Sequence, residues 1–276
     1  MGITGWVKPH LILGSMYNRV NFTGLVPVGQ CYNICGIAGM KFLIEGARGL
    51  DIRLATDQIK SFQVYYEELH RWNQRVNLTS IVDYQETQIK HFLDSLTTSL
   101  VLVDSVKNYG RVMDIGSGGG FPGVPLKLAY PEMYLAILDS VGKKTAFLAH
   151  LVEVLGLEGA EVYTGRAEDM AHDPGLRENF DLVVSRGVAP MRVLMEITLP
   201  YCRVGGSVIA LKKGDIGPEV DASRHAMDVL GGQIRETRSV NVEGLEDGRV
   251  LVVVEKVRPP PAKFPRRSGL PSKRPL

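Results

Sequence analysis

The spacing of hydrophobic positions changes character near residue 111. Before it, Ile59, Phe62, Tyr66, Leu69, Trp72 and Val76 recur at intervals of three and four. That period predicts an amphipathic helix entered at Thr56, with Tyr65, Tyr66 and Trp72 serving a core and not a base-stacking platform. A second helix is predicted from about Gln85 to Val103. From Arg111 onward, short apolar runs at 111–115, 133–139, 160–164, 180–185 and 206–211 alternate with helical stretches. Within 142–155, Phe147, Leu148, Leu151, Val152 and Leu155 share one helical face. Alternation of this kind predicts a parallel sheet built from βαβ units. The last two runs, GGQIRETRSV and RVLVVVEKV, have only the turn-rich EGLEDG between them, which predicts an antiparallel pair closing the sheet. The fold class expected is α/β: a mainly parallel seven-stranded sheet ending in a hairpin, with a small N-terminal helical layer.

Four segments follow from the same reading. Residues 1–39 carry no sustained period and are expected to be a disordered lead-in or to precede the true start. The helical layer spans 40–104, the sheet domain 105–258, and a basic, proline-rich tail 259–276. A chain beginning at Met40 is therefore expected to keep every functional motif.

Composition narrows the classes. With 276 residues and 45% hydrophobic content, the chain can bury a full core. No apolar run approaches a membrane span of roughly 18 residues, and no secretory leader is evident, so a cytoplasmic protein without a membrane partner is expected. The three cysteines make no disulfide framework, and Cys31 and Cys35 lack further ligands at zinc-binding spacing, so no metal is expected. The net charge of +2 hides an uneven distribution. Arg258 to Leu276 contains no acid and is rich in lysine and arginine, which suits an anionic partner or a solvated tail.

The chemistry concentrates in VMDIGSGGGFPGVPLKLAYPEMYLAILD, residues 112–139. Gly118 to Gly123 match the dinucleotide fingerprint, which admits a nicotinamide-dependent oxidoreductase. The same stretch reads as Asp114-x-Gly116-x-Gly118-x-Gly120, a turn that lets an amino acid and an adenosine approach the backbone, with amides at the next helix N-terminus available to a carboxylate. Asp139, ending the second strand, suits ribose hydroxyls in either cofactor class. The terminal hairpin and GRAEDM (165–170), which places backbone amides and acids where an adenine amino group could be met, favour a methyltransferase using S-adenosylmethionine.

Several blocks then carry a family resemblance. RWNQRVNLTSI (71–81), KHFLDSL (90–96), MDIGSGGGFPGVPL (113–126), ILDSVGKK (137–144), GRAED (165–169), VVSRGVAP (183–190), ALKKG (210–214) and FPRRSGLPSKRPL (264–276) resemble, in order, the RsmG (GidB) family of bacterial 16S ribosomal RNA guanine-N7 methyltransferases. Two mild departures are Lys144 where the family commonly has Arg, and Gly187 where it commonly has Ala. The resemblance implies a Rossmann-like class I methyltransferase fold, S-adenosylmethionine as cofactor, and 16S rRNA or the small ribosomal subunit as partner. It implies cofactor contacts from Asp114, Gly116, Gly118, Gly120, Phe121, Asp139, Ala167, Glu168 and Arg186. It implies positioning by Arg186 and Asn77, and RNA contacts from Lys143, Arg266, Arg267, Lys273 and Arg274. No general acid or base is expected, because guanine N7 carries a free lone pair and a sulfonium methyl is already activated; rate then comes from alignment. An arginine bidentate to N7 and O6 would block that lone pair, so a cation should address O6 or phosphate. By local pattern alone Asn77 begins a turn, and His91 with Asp94 on one helical face suits a helix-to-sheet tether as well as an RNA contact. Lys143 and Lys144 open a helix, where the dipole disfavours cations, which hints at phosphate. A nonenzymatic ribosome-binding protein that keeps the cofactor as a structural ligand is the remaining alternative.

Overall fold

The apolar runs after residue 111 form one seven-stranded sheet in the computed structural model, which describes residues 39–276. The expectations for residues 1–38, including the cysteine pair and the proposed start, lie outside the described residues. The strands are β1 (Arg111–Ile115), β2 (Tyr134–Asp139), β3 (Ala160–Thr164), β4 (Phe180–Arg186), β5 (Cys202–Lys213), β6 (Gly232–Ser239) and β7 (Arg249–Lys256). Their spatial order is β3-β2-β1-β4-β5-β7-β6. The first five pair in parallel, and β7 runs antiparallel between β5 and β6. The last strand inserts beside β5, leaving β6 at the edge. That choice follows composition: β7 is buried along most of its length, whereas β6 alternates between half-buried and exposed.

Helices cover both faces. Before the sheet come α1 (Lys41–Gly49), α2 (Thr56–Val76), a continuous helical run α3 over residues 84–100, and α4 (Asp104–Tyr109). Between strands lie α5 (Gly123–Ala129), α6 (Gly142–Val154), α7 (Ala167–Met170), α8 (Met191–Thr198), α9 (Gly217–Ala222) and α10 (Arg224–Leu230). The short α11 (Leu270–Lys273) lies in the tail. Alternate strand residues feed two apolar clusters. Leu135 and Ile137 point to the face shared with Leu43, Phe62, Tyr65 and Phe92 of the N-terminal helices; Ala136 and Leu138 point to the face packed by α8 and α10.

Several expectations change in detail. Thr56 is the first helical residue and not the cap; Ala55 is, and its N–H is taken by the Gln58 carboxamide at 2.7 Å. The fully buried tyrosine of α2 is Tyr65, while Tyr66 and Trp72 are half-buried. Tyr65 is drawn inward by a polar target: its hydroxyl donates to Gly119 O at 2.6 Å across 54 residues of sequence. The second expected helix is real but irregular, with a π turn over Gln88–Leu93 and a 3-10 end over Thr97–Leu100. Helices α1 and α4 are additional to the two helices expected before the sheet. The tail packs: Phe264, Pro265 and Pro271 are buried, so of the two readings of this segment, an anionic partner or a solvated tail, the second does not describe these residues.

Candidate functional site

Strand order reverses between β1 and β4, and open α/β sheets bind ligands at the carboxyl ends of the strands beside such a reversal. A cavity of about 280 Å³ lies there. It is lined by the ends of β1 and β2 (Gly116, Asp139), the entry to α6 (Ser140, Val141, Lys144), the segment after β3 (Gly165 to Glu168), Gly187 and Val188 after β4, and Ile197 of α8. A larger depression of about 760 Å³ lies around the starts of β2 and α2. It gathers none of the glycine-turn residues, so the smaller cavity is the one that chemistry favours.

The glycine turn is held by two aspartates. Asp114 is completely buried; its Oδ2 accepts from Ser117 Oγ at 2.6 Å and from the Gly123 N–H at 2.8 Å. Its Oδ1 has no hydrogen-bond partner among the described residues. Burial pushes the Asp114 carboxyl up to about 6, against the lowering effect of those two hydrogen bonds. The Gly123 amide, expected to meet a ligand carboxylate, is therefore occupied by a side chain of the turn itself. Asp139 Oδ2 accepts the Gly118 N–H at 2.9 Å and its Oδ1 accepts the Val141 N–H at 2.9 Å. Each oxygen keeps a lone pair for ribose hydroxyls. Gly118 has φ +61°, and a Cβ there would point into open space, the condition for a ligand to lie against the backbone. Gly187 has the same character at φ +68°.

The other expected residues divide. Gly116, Asp139, Ala167 and Glu168 line the cavity. Gly120 faces the helical layer, where a Cβ would collide with the Tyr65 hydroxyl at 2.4 Å. Phe121 is buried between Tyr65 and His91, its ring 5.5 Å and 4.3 Å from theirs. It belongs to the core behind the turn and not to the cavity wall. Arg186 ends β4 next to the cavity, but its guanidinium reaches into α3. Nη1 donates to Asp94 Oδ2 at 2.8 Å and to Lys90 O at 3.1 Å, Nη2 lies 3.1 Å from His91 Nδ1, and Cζ sits 4.8 Å from the Phe121 ring centroid. Asp94 is shared with Arg249 at 2.9 Å. Asn77 is an exposed, left-handed C-cap of α2 away from the cavity lining, which matches the turn its local pattern announces. Its neighbour Asn73 fixes the following loop, accepting from Leu78 and Thr79 N–H and donating to Thr79 O.

One polar chain thus runs from the 77–80 loop to the sheet. Thr79 Oγ1 lies 2.7 Å from His91 Nε2. His91 Nδ1 lies 3.1 Å from the donor Arg186 Nη2 and 3.2 Å from the acceptor Lys90 O, while Nε2 meets a Thr79 hydroxyl that can donate or accept. Burial and the Arg186 charge drive the His91 pKa to about 3, which keeps the imidazole neutral.

Lys144 and Arg166 line the cavity, and Lys143, Arg267, Lys273 and Arg274 are exposed; among the described residues none of these six is in an ion pair. Arg266 differs: it grips the fully buried Glu196 with Nε at 2.8 Å and Nη2 at 2.6 Å. Its charge is compensated inside the protein by Glu196. Lys144 and Arg166 were missed as cavity residues although both sit inside quoted motifs; Glu196 and Gly269 had no sequence signal of a role.

Parallel strands, the glycine turn at the reversal, and the terminal hairpin place the chain among Rossmann-like proteins of the methyltransferase type. The same fold occurs in a solved chain of the complex between the Haloferax volcanii Trm112 methyltransferase activator and the putative methyltransferase, at TM-score 0.51 and 13% identity over 69% of this chain and 98% of that one. Residues 58–246 match the profile of GidB, rRNA small subunit methyltransferase G. The chain is 47% identical over 237 residues to Ribosomal RNA small subunit methyltransferase G of Dehalococcoides mccartyi, covering 86% of this chain and all of that one. It is 46% identical over 237 residues, with the same coverages, to the protein of that name from Roseiflexus castenholzii. The chain belongs to the GidB family of rRNA small subunit methyltransferases.

Proposed function

We propose that the protein transfers a methyl group from S-adenosylmethionine to N7 of a guanine in 16S ribosomal RNA of the small subunit. The observation that carries this reading is the convergence of Gly116, Asp139, Glu168 and Gly187 from separate loops on one cavity at the strand reversal. The residues fit the cofactor. Asp139 is placed for ribose hydroxyls, and Ala167 with Glu168 for adenine. The buried Asp114 holds the turn from behind through Ser117 and Gly123, and a Cβ on Gly118 would meet only Gly116 O at 4.0 Å, which leaves room for a chain against the backbone. Bound there, the cofactor supplies a methyl already activated by its sulfonium.

The residues around it then need only orient and exclude water. His91, stacked on Phe121 behind the glycine turn, is neutral but enclosed by Thr79, Phe121 and Arg186, and guanine N7 has no proton to lose. Lys144 and Arg166 are free to meet phosphate or guanine O6, and the exposed tail cations extend that surface. Residues 40–104 act in this reading as a layer that presents the 77–80 loop, and 105–258 as the cofactor domain.

Incubation with methyl-labelled donor and small-subunit RNA or particles, followed by mapping of the labelled base, tests the reading. Label on N7 of one guanine in 16S rRNA is expected. Label on another atom or another RNA would overturn the assignment, and donor binding without transfer would favour a nonenzymatic ribosome-binding role.

A further inference from the structure

The adenine side of the cavity is built from the weakest element nearby. It consists of Gly165, Arg166 and the four-residue helix α7, which follows the half-exposed strand β3 at the sheet edge. A single helical turn has no cooperative stability of its own, so its position is set by what backs it. The backing is the tail. Gly269 N–H donates to Glu168 Oε1 at 2.9 Å, which leaves Oε2 with no partner among the described residues. His172 Nε2 lies 3.0 Å from Pro265 O, and Arg177 Nη1 donates to both Ala171 O and Phe264 O, at 3.2 and 2.8 Å. The anchor is Arg266, which closes a fork on Glu196 and adds its own N–H to Oε1 at 2.9 Å. Glu196 is wholly buried and immediately precedes Ile197, which lines the cavity.

We propose that residues 264–269 are a positioning strap for the adenine subsite: the Arg266–Glu196 pair fixes the strap, and the Gly269 amide orients Glu168. The inference rests on the cavity taking S-adenosylmethionine. It gives the tail a task in cofactor binding, separate from any RNA contact made by Arg267, Lys273 or Arg274. The tail also lies beyond residues 58–246, the span matched by the family profile.

The test is calorimetric titration of S-adenosylmethionine, S-adenosylhomocysteine and adenosine into the full chain, a chain ending at Pro261, Glu168→Ala, and the two changes combined. Loss of the strap should weaken all three ligands by a similar factor, about tenfold or more, because each carries the adenine. In the Glu168→Ala background, which has no side-chain oxygen for the Gly269 N–H, the same truncation should cost less than about threefold, since the strap acts through that side chain. Equal losses in both backgrounds, or affinity within twofold of the full chain after truncation, would overturn the proposal. If the shortened chain does not fold, Arg266→Lys decides. It keeps the charge but loses the planar fork, and should weaken adenosine several-fold in a folded protein; unchanged affinity would overturn the strap. Failure of the unaltered protein to bind S-adenosylmethionine would instead refute the cofactor reading.

Discussion

Asp114 and His91 show how burial sets the chemistry of single side chains. Asp114 titrates near 6 in the folded protein, above an unfolded carboxyl. The folded state therefore holds the proton more tightly, and stability falls as pH rises from about 4 to 6. Asp114→Asn removes that dependence while keeping an oxygen for Ser117 and Gly123. Relative to the parent, the variant should gain up to about 3 kcal/mol between pH 4 and 7, measured by urea unfolding across that range. His91 acts in the opposite sense. Its pKa is depressed to about 3, so its contribution is present above about pH 6.5 and is lost as the medium is acidified toward 3. A His91→Gln chain should therefore unfold less steeply in acid than the parent; identical acid profiles would mean that His91 is not held neutral in the fold.

Elements meet through a few polar residues, and the costliest joint is Asp94. It is 2% exposed and sits between Arg186 at 2.8 Å and Arg249 at 2.9 Å, joining α3 to β4 and β7. Asp94→Ala leaves two guanidinium groups without their shared anion in a low-dielectric setting. A loss of about 3–5 kcal/mol in urea unfolding is expected, against about 1 kcal/mol or less for an exposed pair such as Lys90–Glu86. The glycine turn joins β1, β2 and α5 in a different way. Gly118→Val puts a branched side chain at φ +61°, where L residues are strained, while Asp139→Ala frees the amides of Gly118 and Val141. Both variants should bind S-adenosylmethionine at least tenfold more weakly with the sheet's circular dichroism retained. Unchanged affinity in both would remove the cofactor from this turn.

For the whole molecule, exposed cations without an ion pair decide how a polyanion approaches. Replacing Arg267, Lys273 and Arg274 together by Gln leaves Arg266 on Glu196 and should spare the strap. RNA affinity should fall, and the slope of log affinity against log salt should shrink by about 2, at roughly 0.7 for each phosphate no longer neutralised. Cofactor affinity should stay constant. A salt slope equal to the parent's would show that these three side chains do not meet phosphate.

The strands, their parallel sense and the glycine turn were legible in the sequence because they depend on local periods: apolar runs of strand length, a helical face at 147–155, and glycines where φ must be positive. Asp139 and Glu168 could be placed because strand ends in such sheets point to one edge. Which way Phe121, Arg186 and Arg266 turn was not legible, for one reason. A long side chain at the right backbone position can swing either way, and partners as far as 96 residues away along the chain decide which. Arg186 turns to Asp94 and His91, Phe121 fills the space between Tyr65 and His91, and Arg266 closes on Glu196. Periodicity is a property of neighbours along the chain, and so the sequence by itself determined the elements and the location of the cleft. Compensation of buried charge is a property of neighbours in space, so only the tertiary structure decided which basic residues remain free to meet RNA and which hold the protein together.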